Sequence, residues 1–252
     1  MMSLIAANAQ ELTKKQYLYK LKAYMGLLFS MILVQLVGLL FSFGGVGDMR
    51  THSDGIVMGV KTYSGDIIII FTFIWAFVIA ILFTTTTYRD IDFTLVSNRL
   101  TSNLSNIGYL LTISLAGGIG AMLLTFVLKI IVFFMRGAEN LTIQNFFLTP
   151  YELVIGILAV TFYMILVMSI GYFFGMIAQI NRIFVVLIPT FIFGGMLYEA
   201  RLKSPDNSIV VSVVQFFVQE SSFAVFVLKV LMTAAVFFAC ATLLSDRLEV
   251  RK

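Results

Sequence analysis

The sequence holds one cysteine, one histidine, one tryptophan and three prolines in 252 residues, and it is short of charge. Each shortage excludes something. Cys240 alone cannot form an internal disulfide, so nothing in the chain requires an oxidising compartment. The single histidine, His52, rules out the two-His zinc motif of a membrane metalloprotease, and no Ser/His pair can form within the apolar runs. A phosphate-binding loop is missing as well: GGVGDMRT, at residues 44–51, lacks the Gly-Lys-Ser/Thr ending. If ATP drives this protein, another chain hydrolyses it. Charged residues make up 12% of the chain, against roughly 25% in soluble domains. The net charge of +4 is modest and spread out, and gives no argument for nucleic acid.

Apolar residues make up 60% of the chain, and several runs of about 18 or more are almost free of charge. Each is long enough for a helix to cross about 30 Å of hydrocarbon, whereas a barrel would alternate over segments of about ten residues. The expected fold is all-α: a polytopic membrane protein with six transmembrane helices, forming a single transmembrane domain over residues 1–252. The spans fall at about 23–43, 67–83, 107–134, 151–174, 183–197 and 222–244. Span 5 is short and interrupted by Pro189, which predicts a kink.

Residues 1–22 carry Lys14, Lys15, Lys20 and Lys22, with Leu12, Tyr17, Leu18 and Leu21 at roughly helical spacing. They read as an amphipathic helix at the interface before span 1, the alternative being a disordered basic tail. No cleavable signal peptide is expected. Residues 44–66 read as a Gly-rich loop, 175–182 as a tight connection, and 198–221 as an interfacial or re-entrant segment. Span 3 contains AGGIGA at 116–121, and Gly171 and Gly175 form a second small-xxx-small pair, so other helices can approach closely.

Ten of the seventeen Lys and Arg fall on one side if the N-terminus is inside: Lys14, Lys15, Lys20, Lys22, Arg89, Arg99, Arg182, Arg247, Arg251 and Lys252. Five fall outside: Arg50, Lys61, Arg136, Arg201 and Lys203. That excess predicts both termini in the cytoplasm. Lys129 and Lys229 lie inside spans 3 and 6. At about 1.5 Å per residue, both sit within roughly 10 Å of the outer surface. Such groups are functional candidates, here for an outer gate or substrate exit. The alternatives are snorkelling and a structural pair with Glu152 or Glu220.

The most informative stretch is residues 84–106, TTTTYRDIDFTLVSNRLTSNLSN, between spans 2 and 3. As a helix it gathers Ile91, Phe93, Leu95, Val96 and Leu100 on one side. Arg89, Asp90, Asp92, Asn98 and Arg99 fall mostly on the other. Its charges cancel, whereas an anionic-lipid anchor would be mostly Lys and Arg. The pattern is either a knob for a protein socket or an ordinary solvated loop.

With that order, the chain resembles the integral-membrane permease subunit of an ABC-2-type ABC transporter. The likeness rests on LTKKQYLYKLKAY before span 1, YRDIDFTLVSNRLTSNLSN between spans 2 and 3, the tight turn between spans 4 and 5, and IVVSVVQFFV before span 6. The second of these looks like the coupling element of small Gram-positive permeases of this type. The resemblance implies a dimer of permease chains in the cell membrane, identical or paralogous, each docked on a separate ATPase subunit. ATP and Mg would be bound by that partner, two copies per complex, and by no residue of this chain. Tyr88, Arg89, Asp90, Asp92, Phe93, Leu95, Val96, Arg99 and Leu100 would carry the ATPase contact, and its movement would tilt spans 1, 2 and 5. The implied cargo is apolar or amphipathic, such as a peptide, antimicrobial or lipid, and the direction export. Residues 44–66 offer no ring but His52 and Tyr63, so no carbohydrate-stacking signature is present. Two other functions compete. A substrate-capture component of an importer would dock through small-residue span faces such as 116–121. An intramembrane enzyme would need paired polar groups, and the spans offer only Gln35, Lys129 and Lys229.

Overall fold

The computed structural model describes residues 9–44, 47–53, 56–85, 87–88, 99–136, 149–180 and 222–247, with scattered positions between 183 and 220. The order of elements is α1 (Ala9–Ala23), α2 (Met25–Ser42), β1 (Gly47–Ser53), β2 (Ile56–Thr62), α3 (Asp66–Thr84), α4 (Arg99–Arg136), α5 (Pro150–Ile180) and α6 (Phe223–Arg247). Four of these helices, α2, α4, α5 and α6, are long and apolar enough to cross a membrane, and α3 is a shorter apolar helix. The helical class and the membrane character therefore stand. The expected fifth span at 183–197 and the expected re-entrant stretch at 198–221 lie almost wholly outside the described residues.

Three boundaries differ from the sequence reading. Residues 44–66 are not merely a loop: β1 and β2 pair antiparallel, from Gly47 opposite Thr62 to Ser53 opposite Ile56. Asp54-Gly55 falls between the paired ends, and that dipeptide is a strong short-range hairpin signal. Helix α4 begins at Arg99, eight residues before the apolar run, because its polar start is packed rather than solvated. Helix α5 runs on to Ile180, through the expected tight connection, because Gly175 fits closely against α3. Its other end follows sequence rules closely. Thr149 and Glu152 form a capping box, with backbone N–H to carboxylate at 2.9 Å and backbone N–H to hydroxyl at 3.3 Å, and Pro150 opens the helix.

The chain divides into two compact units. One comprises Tyr17–Ala76 and Gly108–Met164; the other Met1–Gln16, Phe77–Ile107 and Ile165–Lys252. In the first, α1 leads into α2 with a single break at Tyr24. The Tyr24 N–H donates to the Lys20 carbonyl at 2.9 Å, and the Leu27 N–H to the Tyr24 carbonyl at 3.0 Å. The remainder of α1 lies on α4 by its polar side. The Thr112 hydroxyl donates to the Gly108 carbonyl at 3.0 Å, so at their 2.8 Å contact Tyr17 donates to Thr112. Tyr109 donates to the Tyr24 carbonyl at 3.0 Å. Lys20 is buried, while Leu18 and Tyr19 are exposed. The expected apolar face of Tyr17, Leu18 and Leu21 is thus split, and a polar stripe does the packing.

The AGGIGA patch is used inside the same unit. A side chain at Gly117 would meet Met164 and Met31, one at Gly118 would meet Thr161, and one at Gly120 would lie 2.7 Å from the Gln35 amide oxygen. Gln35 is itself buried and donates to the Gly117 carbonyl at 3.1 Å, a bond between α2 and α4. Trp75 donates to the Ser30 hydroxyl at 3.0 Å and ties α3 to α2. Buried hydroxyls turn back on their own helices: Ser42 to Gly38 at 2.9 Å, Thr72 to Ile68 at 2.7 Å and Thr161 to Ile157 at 2.8 Å. Where no water competes, a helix carbonyl one turn back is the nearest acceptor available to such a group.

In the second unit, the end of α3 packs on α5. A Cβ at Gly171 would sit 2.8 Å from the Phe77 carbonyl and one at Gly175 3.1 Å from the Ile81 Cα, so backbone meets backbone there. Phe77 and Phe174 meet edge to face at 6.4 Å, and Phe173 lies 5.5 Å from Phe237 of α6.

Candidate functional site

The stretch singled out by the sequence is gripped at both ends within the second unit. At its start Thr84 is buried and donates back to the Ile81 carbonyl at 2.6 Å, while Phe83 stacks on Tyr88 at 5.1 Å. Arg89, Asp90, Asp92, Phe93, Leu95 and Val96 lie outside the described residues. The description resumes at Arg99, whose guanidinium donates to the Ser245 carbonyl near the end of α6 at 3.2 Å. An arginine is suited to this task, since its charge is never lost and its planar donors reach a helix-end carbonyl.

Beyond Arg99 the sequence turns polar for two turns, and the structure encloses nearly all of it. Thr101, Ser102, Asn103, Ser105 and Asn106 are all buried, and Leu100 and Leu104 are exposed. Tyr172 of α5, fully buried, donates to the Asn103 amide oxygen at 2.8 Å and accepts from the Asn106 amide nitrogen at 3.4 Å. Its ring lies 5.9 Å from Phe238 of α6. Ser105 donates to the Ser102 carbonyl at 2.8 Å, and its hydroxyl stands 3.5 Å from the Gln16 amide oxygen of α1. The foot of α4 is thereby linked to α1, α5 and α6 through polar atoms.

Of the coupling residues read from sequence, the structure places three. Tyr88 sits half-buried against Phe83, Arg99 is bound to α6, and Leu100 faces outward. Residues 101–103, 105 and 106 are packed within the chain, and of this stretch only Leu104 offers much surface to a partner. Sequence reading missed Asn103, Asn106 and Tyr172 as a set. The available signal was a pair of asparagines three apart at the mouth of an apolar run, where water is scarce and each amide needs a fixed partner.

The two lysines within the apolar runs differ in what surrounds them. Lys229 of α6 pairs with Glu220, donates to the Phe216 carbonyl at 3.4 Å and lies 4.0 Å over the Phe216 ring. Of the two carboxylates proposed as its partner, the structure selects Glu220. The pair is about three-quarters shielded, with side-chain exposures of 23% and 24%, and it anchors the segment before α6. Lys129 is half-buried on α4. No group of three His, Cys, Asp or Glu among the described residues is arranged to hold a metal ion.

The arrangement places the start of the segment at the buried end of α3 and its return, at Arg99, against α6. No family model, curated protein or solved structure matches the chain.

Proposed function

We propose that this chain is the membrane-spanning permease subunit of an ATP-driven exporter of apolar or amphipathic cargo. ATP and Mg bind to a separate ATPase subunit, two copies per complex, and a second permease chain completes the pathway. In this reading the chain has six spans, lies in the cell membrane and keeps both termini in the cytoplasm, as the distribution of Lys and Arg favours. Residues 84–100 rest on the ATPase as the coupling segment.

One observation carries the reading. The segment leaves the buried end of α3 and returns at Arg99, which is bound to α6, so neither end is slack. A displacement that reaches either end is passed to a packed helix, α3 at the start and α6 through Arg99. The small-residue face that an importer's capture component would present is already filled: Gly117, Gly118 and Gly120 close on Met164, Thr161 and Gln35 of this same chain. That weighs for the exporter over the capture component.

The test is the double variant Arg89→Ala/Asp92→Ala in the purified, reconstituted complex. Cargo-stimulated ATP hydrolysis should fall while insertion and subunit association persist. Hydrolysis that stays as strongly stimulated as in the wild type removes residues 84–100 from the coupling role.

A further inference from the structure

We propose that Tyr172 is the positioning residue that carries displacement of the foot of α4 into α6. This deepens the permease reading and rests on it. Arg99, Asn103 and Asn106 stand at i, i+4 and i+7 and share one stripe of α4, beginning at the end of the coupling segment. Arg99 grips the Ser245 carbonyl directly. Asn103 and Asn106 grip the Tyr172 hydroxyl from two sides, and the Tyr172 ring rests on Phe238. Phe238 and Ser245 are seven residues apart on α6, so they too share a stripe. Helix α6 is held at two points two turns apart, once by α4 itself and once through Tyr172.

The chemistry makes the second hold all-or-none. The Tyr172 hydroxyl has one proton, which it gives to Asn103, and it receives one from Asn106; the side chain is fully buried. If α4 slid along α5 by a fraction of a turn, the tyrosine proton and the Asn103 oxygen would lose each other, and two buried polar groups would lose a hydrogen bond at once. The foot of α4, α5 and α6 therefore shift together or separate outright. Such discrete, packed contacts are what transmit a small displacement over distance.

Cys240, the only cysteine of the chain, lies half-buried on α6 two residues beyond Phe238 and serves as the reporter. The complex of this chain with its copurifying ATPase is placed in nanodiscs. N-ethylmaleimide labelling of Cys240 is then followed, by mass shift of this chain, with and without ATP and orthovanadate. In the wild type the nucleotide should change the labelling rate. In Tyr172→Phe, which keeps the ring on Phe238, that response should be lost while the ATPase stays bound and hydrolyses at its basal rate. Because a single change orphans the Asn103 oxygen, Asn103→Leu/Tyr172→Phe is tested beside it and should behave the same way if the single variant does not accumulate. A full nucleotide response in these variants overturns the relay and leaves the permease reading standing. A wild-type complex that hydrolyses ATP with no change at Cys240 also overturns it. A wild-type chain with no ATPase bound overturns the permease reading and the relay with it.

Discussion

The foot of α4 and the middle of α2 are built on opposite rules. At the foot, six of eight consecutive residues from Arg99 to Asn106 are polar or charged, and nearly all of them are enclosed by protein. On α2 the residues turned outward are Phe29, Leu33, Leu40 and Phe41, each more than 60% exposed, while Gln35 is turned in. In water both arrangements would be backwards. In a bilayer they are the expected pair: lipid takes the apolar faces at no cost, and polar groups are driven inward to find one another. The lesson is that, among the described residues, apolar side chains lie on both the buried and the outward faces, while these polar ones are drawn inward to partners. A buried, hydrogen-bonded polar cluster marks where relative helix position is specified.

Substitutions can break or sharpen this contrast, and the largest effect belongs to the foot. Tyr172→Ala removes a buried ring and the hydroxyl that two asparagines share, and should cost about 3–5 kcal/mol of stability, read as a collapse of monodisperse protein in heated size-exclusion runs. Gly171→Ala comes next. Its methyl would press on the Phe77 backbone carbonyl, which cannot swing aside, so a loss of about 1–3 kcal/mol is expected, whereas Gly26→Ala, with open space around it, should be neutral or slightly stabilising in the same assay. Gln35→Leu trades the bond to the Gly117 carbonyl for an apolar contact and should cost about 0.6 kcal/mol, typical of such bonds within membranes. Leu33→Val on the outward face of α2 should lie within about 0.5 kcal/mol of the wild type.

The smallest effect lies outside the membrane-length helices. On α1 the Lys15 ammonium bonds to Glu11 at 2.8 Å and holds its carboxyl below the usual range. A lowered folded value means the pair supports α1 above the ordinary carboxylate range, and that support fades as pH falls through the lowered value. Both side chains are exposed, so Glu11→Gln should leave the melting temperature at neutral pH unchanged within error.

How much of this was legible in the sequence depended on which force set each boundary. Helices α2, α3 and α6 end within about three residues of the expected spans, because an uncharged apolar run of membrane length admits few alternatives. The capping box at Thr149 and Glu152 was written locally and could be read locally. The start of α4 could not. Arg99 through Asn106 looks like a solvated loop by composition, and becomes helix because Ser245, Tyr172 and Gln16 supply partners from distant parts of the chain. The small-residue patch in span 3 was ambiguous for the same reason. Glycines announce a close approach but not the neighbour, and only packing reveals Met164, Thr161 and Gln35. The hairpin at Gly47–Thr62 has its local signal in Asp54-Gly55, which the surrounding glycines mask, since a Gly-rich stretch between spans resembles a plain loop.

The most direct test of the permease reading is to tag this chain, extract it gently from its native membrane and identify what copurifies in stoichiometric amount. A chain bearing a phosphate-binding loop, at one copy per permease chain, is the predicted result. A stable preparation of this chain with no such partner would contradict it, and residues 84–100 would then be a connector between two helices and nothing more.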